Sequence, residues 1–371
     1  MIRNNIHQQE EKNRTEIAGS SQCAARRAPI ASISLFIVLA VLAGLIVAMG
    51  CSGSAINPAS QNATIQVTDS QGNTFQLPGP ATRIVCLNSD SAEMLIALGA
   101  GGSVVGVTET TLKNTQLAPL LPNATSVGTW DAPSLERILG LRPDAIISYS
   151  GYRLKNADQF ERANIPVIYV DCNRLSTIRK DARIMGTITG HAEDADRYIR
   201  FVDTWEAYVA EKTGSANLTP VYIEGYAEYM AQGSGSSIDD MVSLARGSNL
   251  AAGQEKSYVK VTPEWVIKEN PPVIIKVAPD PLPEGKTLDS YREGVADRPA
   301  LADVLAVRNG TVFALSGKVA VGPRAPAGLP IVAAILHPDD FSGTNPTDAL
   351  DEYAADFVPG ANLIQAVSPL P

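Results

Sequence analysis

From Arg83 onward, short apolar runs alternate with amphipathic stretches. Arg83-Ile-Val-Cys-Leu, Val104-Val-Gly-Val, Ala145-Ile-Ile-Ser-Tyr and Val167-Ile-Tyr-Val read as strands. Between them, Ser91–Ala100, Ser134–Leu139 and Gln159–Asn164 carry helical spacing. Strands this apolar, separated by helices, predict a parallel sheet covered on both faces. Ile65–Val67 and Thr74–Leu77 flank a turn and predict a small hairpin ahead of the sheet. The alternation then stops. Over Ser176–Thr213 the apolar positions Met185, Ile188, Ala192, Ala195, Ile199, Val202 and Val209 form one helical stripe. Gly186 and Gly190 predict a short first helix and a break, with one long helix from about Ala192. Ser176 is expected to cap the start and Gly214 to end it. After it the alternation restarts: Val221-Tyr-Ile-Glu, Val273–Val277 and Thr311–Leu315 as strands, with helices at Ile238–Arg246, Ala325–Leu336 and Asp348–Phe357.

The two halves also match each other. Residues 134–148 (SLERILGLRPDAIIS) lie over residues 262–276 (TPEWVIKENPPVIIK) without a gap. Glu136 falls on Glu264 and Pro143 on Pro271, and each copy reads as capped helix, Pro turn and buried strand. The fold class expected is α/β: two similar parallel-sheet lobes, residues 64–175 and 214–371, joined by one long rigid helix within 176–213. A ligand cleft between the lobes is the default site of such an architecture.

Ahead of the lobes, residues 1–29 are polar and end in Arg26-Arg27, and Ile30–Gly50 is an uncharged apolar run closed by Cys51. This describes an export signal with lipidation at Cys51, or a plain transmembrane anchor of sufficient length. Residues 1–51 are therefore an anchor, residues 52–63 a small-residue tether, and the body is expected outside the cytoplasmic membrane. Composition narrows the partners. The net charge is −9, and the first fifty residues hold more cations than anions, so the body is more acidic still and unsuited to nucleic acid. With 45% hydrophobic residues the chain can bury a core, and a monomer is expected. Cys86 and Cys172 end strands; they read as buried free thiols, with a disulfide between them the alternative in an oxidising compartment. No CxxC, Walker loop, HExxH, GxSxG or GxGxxG occurs, and with three histidines no metal site or resident cofactor is expected. Gly233-Ser-Gly-Ser-Ser precedes a helix and is read as a cap rather than an anion cradle.

In open parallel sheets ligands bind beyond the carboxyl ends of the strands. In the first half those ends carry Asn88, Ser89, Asp90, Trp130, Asp131, Tyr149, Tyr152, Arg153 and Asp171. Trp130, Tyr149, Tyr152, Tyr226, Tyr229 and Tyr258 are expected to line the mouth with Arg153, Lys276, Lys318 and Arg324. Flat aromatic faces suit a macrocycle or a catecholate, and cations suit anionic chelates.

The stretches ATRIVCLNSDSAEMLIALGAGGSVVGVT, VGTWDAPSLERILGLRPDAIIS, NIPVIYVD, GSGSSIDDMVSLARGSNLAA, LAVRNGTVFAL and GPRAPAGLPIVAAILHPDDF run in order from about residue 80 to 358. They resemble the substrate-binding proteins of iron-siderophore, haem and cobalamin ABC importers. The resemblance implies capture of an iron(III) chelate or a corrinoid and delivery to a permease dimer with its ATPase subunits, with no catalysis. It implies that Glu136 and Glu264 dock on the permease, that Trp130 lies against a corrin, and that Tyr258 matches the second-lobe aromatic. An oxyanion such as molybdate is the alternative ligand in the same family, and a chelatase-like enzyme the more distant one.

Overall fold

The computed structural model describes residues 64–254, 256–361 and 366–369, all within one compact unit. The expected anchor with Cys51, and the tether, lie outside the described residues.

The first half contains β1 (Ile65–Thr68), β2 (Thr74–Leu77), β3 (Ile84–Cys86), α1 (Ser89–Ala97), β4 (Val104–Val107), α2 (Glu109–Lys113), β5 (Thr125–Ser126), α3 (Leu135–Leu141), β6 (Ala145–Ser148), α4 (Ala157–Arg162) and β7 (Val167–Tyr169). β1 and β2 form the antiparallel hairpin. The remaining strands form one parallel sheet in the order β5-β4-β3-β6-β7. β3, β4, β6 and β7 are buried along their whole length, as a sheet covered on both faces requires.

The linking segment is α5 (Leu175–Thr189) and α6 (Ala192–Thr213). It is a helical hairpin, not a single strut. Gly190 is left-handed (φ 75°) and ends α5; the chain then turns back on itself. Arg179 on α5 pairs with Asp203 and Glu206 on α6, and a Cβ at Gly186 would stand 2.7 Å from the Cβ of Ala195. Only a glycine lets the two helices approach so closely. α6 alone spans about 33 Å. Two termini differ from expectation: Arg174 stands at the N-cap, while Ser176 donates its hydroxyl to Asp240; Gly214 remains right-handed.

The second half contains β8 (Thr219–Glu224), β9 (Met230–Gln232), α7 (Ser237–Leu244), β10 (Gly247–Asn249), β11 (Tyr258–Lys260), α8 (Pro263–Glu269), β12 (Val273–Ala278), α9 (Leu288–Ala296), α10 (Leu305–Asn309), β13 (Val312–Ser316), α11 (Gly317–Ala320), α12 (Ala325–Leu336), α13 (Asp348–Asp356) and β14 (Val367–Ser368). Its sheet is mixed, which corrects the expectation of a purely parallel one. β10, β8, β12 and β13 run parallel, while β9, β11 and β14 pair antiparallel.

The internal match holds in three dimensions. α3 and α8 are both seven residues long, capped by the hydroxyls of Ser134 and Thr262. Both end in a left-handed residue, Arg142 (φ 48°) and Asn270 (φ 43°). Both lead through a proline into a buried strand, β6 or β12. α12 is buried on every side and packs on α6, so the end of the chain returns over the linker. Tyr198 of α6 donates to the carbonyl of Pro323, and the rings of Tyr198, Phe201, Tyr353 and Phe357 pack together.

Candidate functional site

The carboxyl ends of the two sheets face each other, with Lys318 and Arg324 of the second half meeting Asp90 and Glu93 on α1, and the space above them is the candidate cleft. On the first lobe, the loop after β6 and the loop before α3 bring three expected aromatics into contact. Trp130 meets Tyr149 edge to face at 5.7 Å and 87°, and Tyr152 at 5.4 Å and 77°. Such pairing fixes ring directions beyond mere burial. Trp130 keeps 45% of its surface exposed. On the second lobe, Tyr226 is 58% and Tyr258 61% exposed, and the two share a small cavity of about 30 Å³ with Ser237, Ile238 and Val321. The hydroxyl of Tyr226 lies over Gly317, where a Cβ would stand 2.9 Å away, so the glycine makes room for that ring.

The floor of the cleft is ionic. α1 begins beneath it, with Asn88 as its N-cap. Asp90 and Glu93 on α1 face two cations from the second lobe. Lys318 Nζ lies 2.6 Å from Asp90 Oδ1, 3.3 Å from Ser89 Oγ and 3.6 Å from Glu93 Oε2. Arg324 Nε lies 2.5 Å from Glu93 Oε1 and its Nη1 2.6 Å from Gln116 Oε1, while Tyr353 donates to Glu93 at 3.1 Å. Glu93 is fully buried and Arg324 nearly so. Burial alone would raise the Glu93 carboxyl, but the charges of Arg324 and Lys318 outweigh it and hold the pKa below the usual range. Burial would likewise weaken Lys318 as a cation; Asp90 and Glu93 reverse that and raise its pKa.

A second buried network sits under Tyr226. Glu224, at the end of β8, accepts from Lys276 Nζ at 2.8 Å and from Arg298 at 2.7 and 2.8 Å, and from the backbone of Tyr229 at 3.0 Å. Lys276 also donates to the carbonyls of Gly225 (2.6 Å) and Tyr226 (3.2 Å).

These contacts change the roles expected of several residues. Arg324, Lys318 and Lys276 are buried in ion pairs and do not present charge to the cleft. Arg324 and Lys318 instead join the lobes, and Lys276 holds the backbone that carries Tyr226. Arg153 is exposed and turned to Asp158 at 2.6 Å. Tyr229 lies under the Arg298 guanidinium (4.6 Å) at the edge of the second-lobe core. Asn88 is buried, accepts from the Ser91 N–H and donates to the Val170 carbonyl, so its side chain is spent on the helix start. Ser89, Trp130, Tyr149, Tyr152, Tyr226 and Tyr258 remain at the cleft. Cys86 and Cys172 are free and buried; burial pushes the Cys86 thiol up to about 12. The glycine-rich turn at Gly233 offers no open cradle, because the Gly235 N–H already donates to Asp239. No cluster of potential metal ligands occurs among the described residues.

Sequence reasoning placed Asp171 at a strand end without a role in the site, and missed Asp280. Asp171 receives the Ser150 N–H at 2.6 Å as well as its hydroxyl, and Asp280 receives the Ser316 hydroxyl at 2.7 Å. Both are half-buried at strand ends, and neither has a cation within ion-pair distance among the described residues. Burial raises the Tyr149 phenol, with the charge of Asp90 adding to it and that of Asp171 adding less. Glu93 did leave a signal: an acid three residues after Asp90 in an otherwise apolar helix.

Away from the cleft, Glu136 and Glu264 are exposed in the first turns of α3 and α8. Three residues on, each helix exposes an aliphatic side chain, Leu139 and Ile267. No helix among the described residues is long and apolar enough to cross a membrane.

Comparison with known proteins agrees with this architecture. The chain is 24% identical to the ABC transporter substrate-binding lipoprotein YvrC of Bacillus subtilis over 324 residues, 81% of this chain and 96% of that protein. It is 25% identical to the vitamin B12-binding protein of Pectobacterium atrosepticum over 201 residues, 52% of this chain and 70% of that one. Among solved structures, the molybdate periplasmic binding protein MolA of Haemophilus influenzae superimposes with a TM-score of 0.69 at 20% identity, covering 80% of this chain and 98% of that one. The periplasmic binding protein family matches residues 84–319. The duplicated lobes, the cleft at their strand ends and this match over most of the body place the chain in the periplasmic binding protein family of ABC importers.

Proposed function

We propose that this protein is the extracytoplasmic binding component of an ABC importer for a corrinoid-type macrocycle, held at the membrane by lipid at Cys51 and the tether 52–63, and that it binds its cargo without transforming it. One observation carries the ligand class. All four cations expected to meet an anionic chelate, Arg153, Lys276, Lys318 and Arg324, are held by carboxylates, whereas the aromatics converge at the cleft. Lys276, Lys318 and Arg324 sit in buried pairs that a polyanionic ferric siderophore would have to displace at about 3–5 kcal/mol each, which leaves it only the exposed Arg153, already turned to Asp158. A flat macrocycle of low charge needs only the exposed faces of Trp130, Tyr226 and Tyr258. The likeness to vitamin B12-binding proteins points the same way. The test is a titration of the purified protein with cyanocobalamin, hemin, a ferric catecholate and molybdate, followed by tryptophan quenching. Saturable binding of cyanocobalamin, weakened roughly tenfold or more in Trp130→Ala by loss of stacking area, is expected. Binding of the catecholate, of hemin or of molybdate in its place overturns the reading.

Glu136 and Glu264 are the proposed contacts to the permease. Each has an exposed aliphatic beside it, and the two sit at equivalent places on the two lobes, as a two-fold partner requires. Glu136→Lys and Glu264→Lys are expected to reduce cyanocobalamin uptake in cells while the titration stays unchanged; undiminished uptake in both would remove docking from these positions.

A further inference from the structure

The cleft has an electrostatic sign as well as a shape. Lys318 and Arg324 are matched by Asp90 and Glu93, so the floor cancels to first order. Under Tyr226, Lys276 and Arg298 share the one carboxylate of Glu224 and leave one surplus cation. Asp171 on the first lobe and Asp280 on the second have no ion-pair partner within reach among the described residues, though Asp280 acts on Arg324 at longer range, and these two carboxylates outnumber that one cation. Asp171 is bonded to Ser150, next to Tyr149, and Asp280 to Ser316, next to the Gly317 that underlies Tyr226. Carboxylates without an ion-pair partner thus flank the aromatic faces from both sides and leave a net negative charge around them. Aromatic faces attract cations through their quadrupoles, and half-buried carboxylates attract them more strongly than exposed ones do.

Resting on the corrinoid reading above, we propose that the cleft discriminates by charge: Asp171 and Asp280 favour a corrinoid bearing positive charge over its neutral counterpart. Aquocobalamin and cyanocobalamin share the ring and differ in axial ligand and in charge, so their affinity ratio isolates the effect. Neither His191, at the turn between α5 and α6, nor His337, buried at the end of α12 against the Ala245 carbonyl, stands at the cleft to exchange with the axial ligand.

The experiment titrates the full chain with both corrinoids at low and at physiological ionic strength. Aquocobalamin is expected to bind about tenfold tighter at low salt, with the ratio shrinking as salt rises. In Asp171→Asn and Asp280→Asn, which keep an acceptor for Ser150 and Ser316, the ratio is expected to fall toward one. Equal affinities at low salt, or a ratio that neither variant moves, overturn the charge proposal and leave the corrinoid reading standing. Failure of both corrinoids to bind, with the anionic ferric catecholate taken up instead, overturns the two together. Should an asparagine variant not fold, the salt dependence of the unmodified protein decides alone.

Discussion

Glu93 is the residue on which the two lobes most depend. It is fully buried on α1, and its charge is met by Arg324 and Lys318 and by the Tyr353 hydroxyl. Removing one partner of such a pair strands the other charge in the interior. Glu93→Ala is therefore expected to destabilise the protein by about 3–5 kcal/mol, read as a lowered denaturant midpoint, whereas Glu93→Leu combined with Arg324→Leu should recover much of the loss. A single variant as stable as the parent would show the pair to be solvated. The pH dependence has a definite sign. The folded carboxyl titrates below its ordinary value near 4.5, so its contribution is complete above that value and disappears as pH falls through the lower, folded one. Arg324→Leu removes the main charge that depresses the Glu93 carboxyl, so although that variant is less stable at neutral pH, the stability it loses on acidification should be smaller than in the parent. Why the sequence did not reveal this pairing is plain: Arg324 and Glu93 are 231 residues apart, and Lys318 and Asp90 are 228. Hydrophobic periodicity locates strand ends, and so it located these cations near the cleft. It carries no information on which carboxylate each cation faces.

At the scale of elements, the repeat at residues 134–148 and 262–276 was legible because capped helix, proline turn and buried strand are each set by local chemistry. The linker was only half legible. Gly186 and Gly190 marked a break, but a break can lead to a bend or to a reversal. The reversal is decided by side chains one helix away: Ala195 beneath Gly186, and Asp203 and Glu206 beside Arg179. The mixed second sheet escaped for a similar reason, since β9, β11 and β14 are two or three residues long and too short to show direction. The hairpin makes a prediction of its own. Gly186→Val places a branched side chain where even a Cβ lies 2.7 Å from Ala195, and should cost about 1–3 kcal/mol or more. Ala195→Gly in the same chain should return part of that stability. A Gly186→Val protein with an unchanged melting temperature would mean that the helices separate freely.

At the scale of the molecule, the bonds across the cleft limit how far the lobes can part. Lys318–Asp90 and Arg324–Glu93 cross the floor, and Arg174 and Ser176, at the start of α5, hold Asp240 of α7. Opening far enough to break the two floor pairs would cost about 6–10 kcal/mol. A micromolar ligand supplies about 8 kcal/mol in total, so a wide opening would consume most or all of its binding energy. The lobes should instead move by small displacements that keep these pairs, with the ligand entering over the exposed aromatics at the rim. Spin labels at Arg137→Cys and Lys268→Cys, one on each repeated helix, measure this directly in a chain starting at Ser52; Cys86 and Cys172 are buried and will not compete for label. The distance distribution is expected to be narrow and to shift by no more than a few ångströms on adding cyanocobalamin. Glu93→Leu combined with Arg324→Leu should broaden it, because the floor then no longer ties the lobes. A parent protein with two well-separated populations would show that the ion pairs open and close with the ligand, and that the permease reads a large motion rather than a small one.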